Sequence, residues 1–291
     1  MNDNYLLNEA KMFLILFVIG SFLLHAGTVV KSEINSKQLN RSWKFTVYLP
    51  DSYNVGNERY PVIYLLHGNG DNENSWSKGY HVLDSLIANK IIPPVIAITP
   101  SGKRGWWVNS TERFESAVIN ELVPLIDSTY KTLANRNSRM LFGYSMGGFG
   151  ALRYGLVYSD LFSACAVLSP ALYNEAPPEG SSARTTGSFG TPFNIKQWDS
   201  LNYPASIKLF LSKDFKEFFF IGAGDDDWNN PEGQKYNIEY QAVLLYENLH
   251  KKLGFPAELR IINGDHSWRV WEPLFIEAIQ LMMKYRELII E

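Results

Sequence analysis

Ser145 lies between two glycines at the boundary between a predicted strand and a predicted helix. Residues 143–147 read Gly-Tyr-Ser-Met-Gly, after the apolar residues 140–142 and before the small and apolar residues 148–152. The glycines let the backbone turn sharply without side-chain clashes, so the serine hydroxyl stands exposed above a sheet, with a helix N-terminus beneath it. We therefore predict that Ser145 is a nucleophile. The same short pattern also occurs in ordinary turns, so the prediction depends on finding an acid and a base further along the chain.

Three consecutive acids follow another predicted strand. The aromatic and apolar residues 218–221 predict a buried strand, and Asp225, Asp226 and Asp227 come shortly after it. A carboxylate at the end of a strand can hold a histidine in the right tautomer and stabilise its charged form. A hydrated acidic turn would have the same sequence, and residue type alone does not choose among the three acids.

The chain has five histidines, and one of them occupies the position that a catalytic base would need. Residues 259–262 predict the next strand, and His266 lies in the loop between this strand and an amphipathic helix that begins near Val270. Hydrolases with a Gly-x-Ser-x-Gly turn carry their triad in the order Ser, Asp, His, and this chain has that order. The other histidines lie in the N-terminal apolar segment, in polar helix-like stretches or in a different motif: His25, His81, His250 and His67.

A loop after an early strand predicts where an oxyanion would bind. Residues 60–66 predict the strand, and the Gly-containing loop of residues 67–70 follows it. In hydrolases with this serine turn, two backbone amides hold the negative oxygen of the tetrahedral intermediate, one after the nucleophile and one from this loop. We predict that these are the amides of Met146 and Asn69. His67 is predicted to brace the loop.

No metal or organic cofactor is predicted. Asp225, Asp227 and Asn229 alternate as the first ligands of a calcium loop do, but Asn230 stands where such a loop needs glycine and Tyr236 where it needs glutamate. The chemistry of a Ser-His-Asp triad requires neither kind of group.

With these residues in place, the chain resembles the putative-esterase family of α/β-hydrolases, which includes feruloyl and acetyl xylan esterases, S-formylglutathione hydrolases and mycolyltransferases. The resemblance extends from about Trp43 to the C-terminus. The matching pieces are Leu65-Leu66-His67-Gly68 with Glu73 and Trp76, Glu121-Leu122-Val123-Pro124, Gly143-Tyr144-Ser145-Met146-Gly147-Gly148, and Gly264-Asp265-His266-Ser267-Trp268 with Trp271. The resemblance implies that the acid is the last residue of a Gly-x-x-Asp turn, which favours Asp227.

The resemblance also implies an activity, that of a serine carboxylesterase. The nearest likeness is to bacterial secreted esterases that remove feruloyl or acetyl groups from plant polysaccharides, so the expected partner is a small ester or an acylated oligosaccharide. Two alternatives stay open: an acyltransferase in which a sugar hydroxyl replaces water, and a non-catalytic carbohydrate-binding protein on a hydrolase scaffold. An intact nucleophile, base and acid disfavours the second.

Four tryptophans are candidates for contact with the substrate. Trp228 and Trp268 each lie beside a predicted triad residue, and Trp106 and Trp107 lie in the loop after a strand predicted within residues 91–99. Two adjacent side chains cannot share one side of an extended segment, so we expect at least one of Trp106 and Trp107 to face outward, with Trp107 as the candidate. Core packing is the alternative for all four.

Composition and element order predict one large α/β domain. The 291 residues are 46% hydrophobic and 20% charged. Strand-like stretches alternate with helix-like ones without an internal repeat, which predicts the α/β-hydrolase fold, a doubly wound, mostly parallel sheet with helices on both faces. The catalytic domain is expected over residues 28–291, and residues 170–207 could form a cap or lid. A formal net charge of -3 gives no reason to expect nucleic acid as a partner.

The N-terminal sequence predicts export. Residues 12–24 are an apolar run of signal-peptide length, and Ala26 and Gly27 resemble a cleavage region. We predict a signal peptide over residues 1–27, export to the periplasm or the extracellular space, and no stable membrane partner after cleavage. A membrane anchor is the alternative, although the run is short for a full span. The single cysteine, Cys165, is predicted to lie in a buried strand.

Overall fold

An eight-stranded sheet forms the centre of the computed structural model, which describes residues 26–213 and 215–290. The strands are β1 (Thr28–Ser36), β2 (Arg41–Leu49), β3 (Val62–Leu66), β4 (Ile96–Pro100), β5 (Arg139–Tyr144), β6 (Ala164–Leu168), β7 (Phe218–Gly224) and β8 (Ala257–Ile262). Their order across the sheet is β1-β2-β4-β3-β5-β6-β7-β8. Strands β3 to β8 are parallel to one another, and β1 and β2 add an antiparallel extension at one edge.

The central strands are buried on both faces of the sheet. Every residue of β3, β4, β5, β6 and β7 is buried. Strands of this kind are continuous apolar runs, because helices cover both sides of them. Strand β1 differs, since it is mostly exposed with partly buried residues at alternate positions.

Helices cover both faces of the sheet. They are α1 (Ser77–Ala88), α2 (Phe114–Ala117), α3 (Val123–Thr129), α4 (Met146–Val157), α5 (Ser182–Thr185), α6 (Ile195–Leu201), α7 (Tyr203–Leu211), α8 (Ile238–Tyr246) and α9 (Trp268–Ile290). Helices α1 and α9 share one apolar core with one face of the strands. The other face packs against α2, α4, α6, α7 and α8 in a second core. The predicted doubly wound, mostly parallel α/β fold is therefore confirmed.

The predicted cap segment is helical and packed. Residues 170–207 contain α5 and α6 and the start of α7. Trp198 of α6 is fully buried and lies against Phe149 of α4, with ring centroids 5.5 Å apart, and against Phe189, with centroids 4.8 Å apart. The segment is thus attached to the body of the domain through an aromatic cluster, and its role as a lid stays a prediction.

The predicted signal peptide lies almost entirely outside the described residues, which begin at Ala26. Within the described ranges, no helix is both long enough and apolar enough to cross a membrane. Cys165 is fully buried in β6, as its apolar surroundings predict.

Candidate active site

Ser145 occupies the sharp turn between β5 and α4. Its backbone has φ 57° and ψ -123°, a conformation that non-glycine residues rarely adopt and that costs about 1–3 kcal/mol. Three backbone hydrogen bonds hold it in place. Its N–H donates to Leu168 O (2.9 Å), and its carbonyl oxygen accepts from Phe149 N (3.2 Å) and Ala171 N (3.3 Å). The end of β6 and the start of the following segment therefore maintain the strain.

The two glycines that flank the serine turn are required by close backbone packing. A Cβ atom on Gly147 would lie 2.1 Å from Leu66 O, and one on Gly143 would lie 2.0 Å from Gly147 O. Neither glycine has a positive φ. The glycines thus let α4 begin directly against the ends of β3 and β5, which brings the serine close to the loop that follows β3.

The structure distinguishes the three acids after β7. Asp225 and Asp226 are exposed, whereas Asp227 has no exposed surface. Asp227 Oδ1 lies 2.6 Å from His266 Nδ1, where the ring N–H donates to the carboxylate. Asp225 has a different role: its Oδ1 accepts from Gly264 N (2.9 Å) and its own N–H donates to Ile262 O (2.9 Å). Asp225 therefore ties the loop after β7 to the loop that carries His266.

Trp271 places the His266 ring next to the serine turn. The indole stacks on Tyr144, the residue before Ser145, with centroids 4.2 Å apart, and it makes an edge contact to His266 at 5.1 Å. Its Nε1 donates to Ser169 Oγ (2.8 Å) at the end of β6. Sequence reasoning did not assign Trp271 or Ser169 a part in the site. A signal existed only for Trp271, which follows His266 by five residues and belongs to the matching pieces of the family resemblance.

Met146 and Asn69 stay the predicted oxyanion donors, and the structure describes the surroundings of their amides. Met146 is the first residue of α4, so its N–H has no acceptor within the helix. Gly68, the neighbour of Asn69, is so close to the serine that a Cβ on it would lie 3.4 Å from Ser145 Cβ. The Asn69 N–H makes no hydrogen bond to any residue that the structure describes.

His67 braces this loop, as its position predicts. It is fully buried; its Nε2 accepts from Gly102 N (2.8 Å), which leaves the proton on Nδ1 to donate to Gly68 O (2.7 Å). Burial lowers the pKa of the imidazole, which favours this neutral form. The loops after β3 and β4 are thereby joined beside Ser145.

The prediction that Trp106 or Trp107 faces outward is wrong. Both are buried, at 1% and 0% exposure. Trp107 packs so closely on Gly150 of α4 that a Cβ there would lie 2.5 Å from Trp107 Cβ, and its Nε1 donates to His67 O (3.1 Å). Positive φ values of 53° and 58° turn both side chains into the core. Trp107 consequently supports the loop after β3 and has no surface to offer a substrate.

The other two tryptophans differ in exposure. Trp268 is partly buried in an aromatic cluster with Trp76 (5.4 Å) and Tyr144 (5.8 Å). Trp228 is 50% exposed, and its ring centroid lies 5.1 Å from that of His266. Of the predicted substrate-binding residues, Trp228 therefore has the surface and the position to contact a ligand at His266.

The three predicted triad residues come from three loops at one edge of the sheet. Ser145, Asp227 and His266 follow β5, β7 and β8, whose carboxyl ends point the same way because the strands are parallel. No hydrogen bond joins the Ser145 hydroxyl to His266 in the described part of the chain; such bonds often tighten only around a substrate. The arrangement has the groups needed for acyl transfer through a serine.

Comparisons with known proteins agree with this geometry. A sequence model of the family described as "Putative esterase" matches residues 36–282. The chain is 29% identical to an endo-1,4-beta-xylanase/feruloyl esterase of Xylanibacter ruminicola over 90% of the chain and 32% of the relative, so it spans about a third of that protein. It is 31% identical to an acetyl esterase of Caldicellulosiruptor saccharolyticus over 88% of the chain and 98% of the relative.

A solved structure of a ferulic acid esterase shares the fold. It superimposes with a TM-score of 0.72 at 24% identity and covers 90% of this chain and 99% of its own. The sequence match spans most of the chain and includes the serine turn and both loops that follow β7 and β8. The chain therefore belongs to the putative-esterase family of α/β-hydrolases.

Proposed function

We propose that the protein is a serine carboxylesterase in which Ser145, His266 and Asp227 act as nucleophile, base and acid. One observation carries the proposal. The strained turn at Ser145 (φ 57°) lies at the same sheet edge as the 2.6 Å contact between His266 Nδ1 and Asp227 Oδ1. Strained backbone of this kind persists only where the surrounding structure holds it, and it is concentrated at active sites.

The proposed mechanism follows from which atom of His266 is free. Because Asp227 accepts the Nδ1 proton, Nε2 is the ring atom left to take the proton of Ser145. Ser145 Oγ attacks the ester carbonyl, and the amides of Met146 and Asn69 hold the oxyanion. The alcohol leaves with the proton from His266. Water, activated by the same ring, then releases the acid from the acyl-enzyme.

The proposed substrates are feruloyl or acetyl esters on plant polysaccharides, or related small esters. The names of two relatives support this choice, since one joins a xylanase to a feruloyl esterase and the other is an acetyl esterase. The exposed ring of Trp228 beside His266 supplies a flat apolar surface for an acyl or sugar group.

The test is hydrolysis of p-nitrophenyl acetate, methyl ferulate and acetylated xylan by the wild type and by Ser145→Ala. Serine-dependent release of ferulate identifies a cinnamoyl esterase, and release of acetate alone identifies a deacetylase. Absence of serine-dependent activity on all three would refute the proposal. Adding a sugar acceptor and analysing the products separates hydrolysis from acyl transfer, because a transferase would yield an acylated sugar.

We also propose that the protein is exported by a signal peptide over residues 1–27. The supporting feature is the apolar run of residues 12–24. N-terminal sequencing of the mature protein from the producing cell tests this. A mature chain that retains residues 1–27 would contradict it.

A further inference from the structure

A pocket of about 320 Å³ lies between the start of the predicted cap segment and the N-terminal part of α8. One wall consists of Tyr173, Asn174 and Glu175, which follow β6. The other consists of residues at and just before α8, among them Tyr236, Tyr240 and Gln241. Its volume is at the lower end of the range for small-molecule sites, enough for one small ring system.

Hydrogen bonds between the two walls fix the pocket in place. Gln241 is buried, and its Oε1 accepts from Asn174 N (3.0 Å) while its Nε2 donates to the carbonyl oxygen of Lys235. Trp198 Nε1 donates to Glu175 O (2.9 Å), so one wall is anchored to the buried aromatic cluster. A pocket held in this way is ready to bind without rearrangement, which reduces the entropic cost of binding.

The lining of the pocket suits a neutral ligand that has both apolar faces and hydroxyl groups. Tyr236 and Tyr240 supply flat rings with hydroxyl tips, Tyr240 being 38% exposed, whereas Tyr173 lines the pocket as a buried residue. The charges of Lys235 and Glu175 neutralise each other in an ion pair of 2.8 Å, so the lining carries no net charge. A sugar ring presents C–H faces and hydroxyls and matches both properties.

The pocket lies next to the proposed triad, on the side of Asp227. Ala171, whose N–H donates to Ser145 O (3.3 Å), lies two residues before Tyr173. The loop after Asp227 is joined to the start of α8, because Asn230 N donates to the side-chain Oδ1 of Asn237, the residue before that helix (2.9 Å). A ligand in the pocket is therefore close to an ester held at Ser145.

We propose that this pocket binds a neutral sugar unit of the alcohol part of the ester, with Tyr240 stacked on the sugar ring. The proposal depends on the proposed esterase function for its biological meaning. It makes the pocket a determinant of specificity that favours an acyl group attached to an oligosaccharide over the same acyl group on a simple alcohol.

The test measures binding of unacylated xylotriose to the Ser145→Ala protein by calorimetry, which needs no turnover. Adding Tyr240→Ala should weaken binding by about tenfold, as truncation of an aromatic contact at a binding site commonly does. Val243→Ala is the matched control, since Val243 lies on the same helix, is 37% exposed and does not line the pocket. It should leave the affinity unchanged.

Kinetics provide the second measurement. In the active enzyme, Tyr240→Ala should lower the ratio of kcat/KM for a feruloylated xylo-oligosaccharide to that for methyl ferulate, also by about tenfold, because only the first substrate carries sugars. The inference is overturned if xylotriose does not bind, or if it binds equally well with and without the Tyr240→Ala substitution. The inference is also overturned if ferulic acid displaces xylotriose and the affinity for ferulic acid depends on Tyr240. The pocket would then bind the acyl group.

The outcomes separate this inference from the proposed function. Serine-dependent hydrolysis of methyl ferulate without xylotriose binding would support the esterase function and refute the sugar pocket. Tyr240-dependent xylotriose binding without any serine-dependent hydrolysis would support the sugar pocket and refute the esterase function.

Discussion

The three adjacent acids after β7 have the same chemistry and different surroundings. Asp225 and Asp226 are exposed, and Asp225 holds Gly264 through its carboxylate. Asp227 is buried, and among the described residues the only hydrogen-bonded partner of its carboxylate is His266, since Oδ2 has none. Burial with one partner is what distinguishes an acid that orients a base from one that shapes a loop.

At this scale we predict that Asp227→Asn lowers kcat by about 10⁴, because the amide would favour the wrong tautomer of His266. Steady-state kinetics on p-nitrophenyl acetate measure the effect. Asp226→Asn is the matched control, because its exposed side chain makes no contact with the base. If the control variant lost more activity than Asp227→Asn, the assignment of the acid would be wrong.

In the proposed oxyanion loop, the backbone amide of Asn69 can be tested separately from the Asn69 side chain. Gly70 has φ 85°, and Asp71 N donates to Gly68 O (3.3 Å), which is the pattern of a type II turn with Asn69 at its second position. Proline is favoured at this position, and it has no N–H. Asn69→Pro is therefore compatible with the turn and removes only the donor.

We predict that Asn69→Pro lowers kcat by about 10²–10³, the usual cost of one oxyanion donor. Asn69→Ala keeps the amide and should stay within a few-fold of the wild type. Steady-state kinetics compare the two variants, and circular dichroism checks that both are folded. Equal losses in both variants would mean that the side chain, and not the amide, contributes to catalysis.

At the scale of elements, β7 could be predicted because it is buried on both faces, so that residues 218–221 at its start are an unbroken apolar run. Strand β8 lies at the edge of the sheet and is mostly partly buried, and residues 259–262 predicted it although Arg260 interrupts their apolar side chains. The serine turn was predictable as well, since its glycines are required by contacts of about 2 Å with neighbouring backbone.

Other features depend on contacts between distant parts of the chain and left no local pattern. Trp107 turns inward because its indole meets His67 and Gly150, from different elements. The β1–β2 pair is antiparallel, and β1 is too exposed to give an apolar run. Residue type left the choice among Asp225, Asp226 and Asp227 open for the same reason, because burial is what separates Asp227 from its neighbours.

One buried ion pair joins α2 to α4. Arg153 Nε and Nη2 donate to the two carboxylate oxygens of Glu115 at 2.8 and 3.2 Å, and Tyr158 Oη donates to the same carboxylate at 2.8 Å. The Glu115 side chain is only 4% exposed. Removing its partner would leave a charge in the interior with one hydrogen bond.

We predict that Arg153→Met destabilises the fold by about 3–5 kcal/mol, since the cost of an unpaired buried charge exceeds that of the lost contact. Urea unfolding followed by circular dichroism measures it. The same substitution at Arg260, whose two acidic partners are both over 40% exposed, is the control and should cost about 1 kcal/mol or less. Equal losses at the two sites would show that burial is not the cause.

At the scale of the whole molecule, Glu217 is a buried carboxyl at the end of β7 opposite to the end that leads to Asp227. It comes directly before β7, at the edge of the sheet opposite the triad, and has no exposed surface. Neither of its carboxyl oxygens has a hydrogen-bond partner within the described ranges. Burial raises the pKa of this carboxyl to about 8, although the positive charge of Arg136 opposes the shift.

This pKa makes the stability of the fold depend on pH. The unfolded chain releases the Glu217 proton near its ordinary pKa of 4.5, whereas the folded chain keeps it up to about 8. Between these values the folded state binds more protons, so the free energy of unfolding falls as pH rises, by at most about 1.4 kcal/mol per pH unit from this group. The contribution of the group is complete below pH 4.5 and is lost by about pH 8.

Glu217→Gln removes the titration while it keeps nearly the same shape. We predict that the difference in unfolding free energy between variant and wild type increases in favour of the variant from about pH 5 to about pH 8. Urea unfolding at a series of pH values measures this difference, which also cancels the titration of all other groups. If the unfolding free energies of variant and wild type instead change in parallel over this range, Glu217 is ionised in the folded protein. Its charge would then be compensated by Arg136, and the interior at this end of the sheet would tolerate a charge.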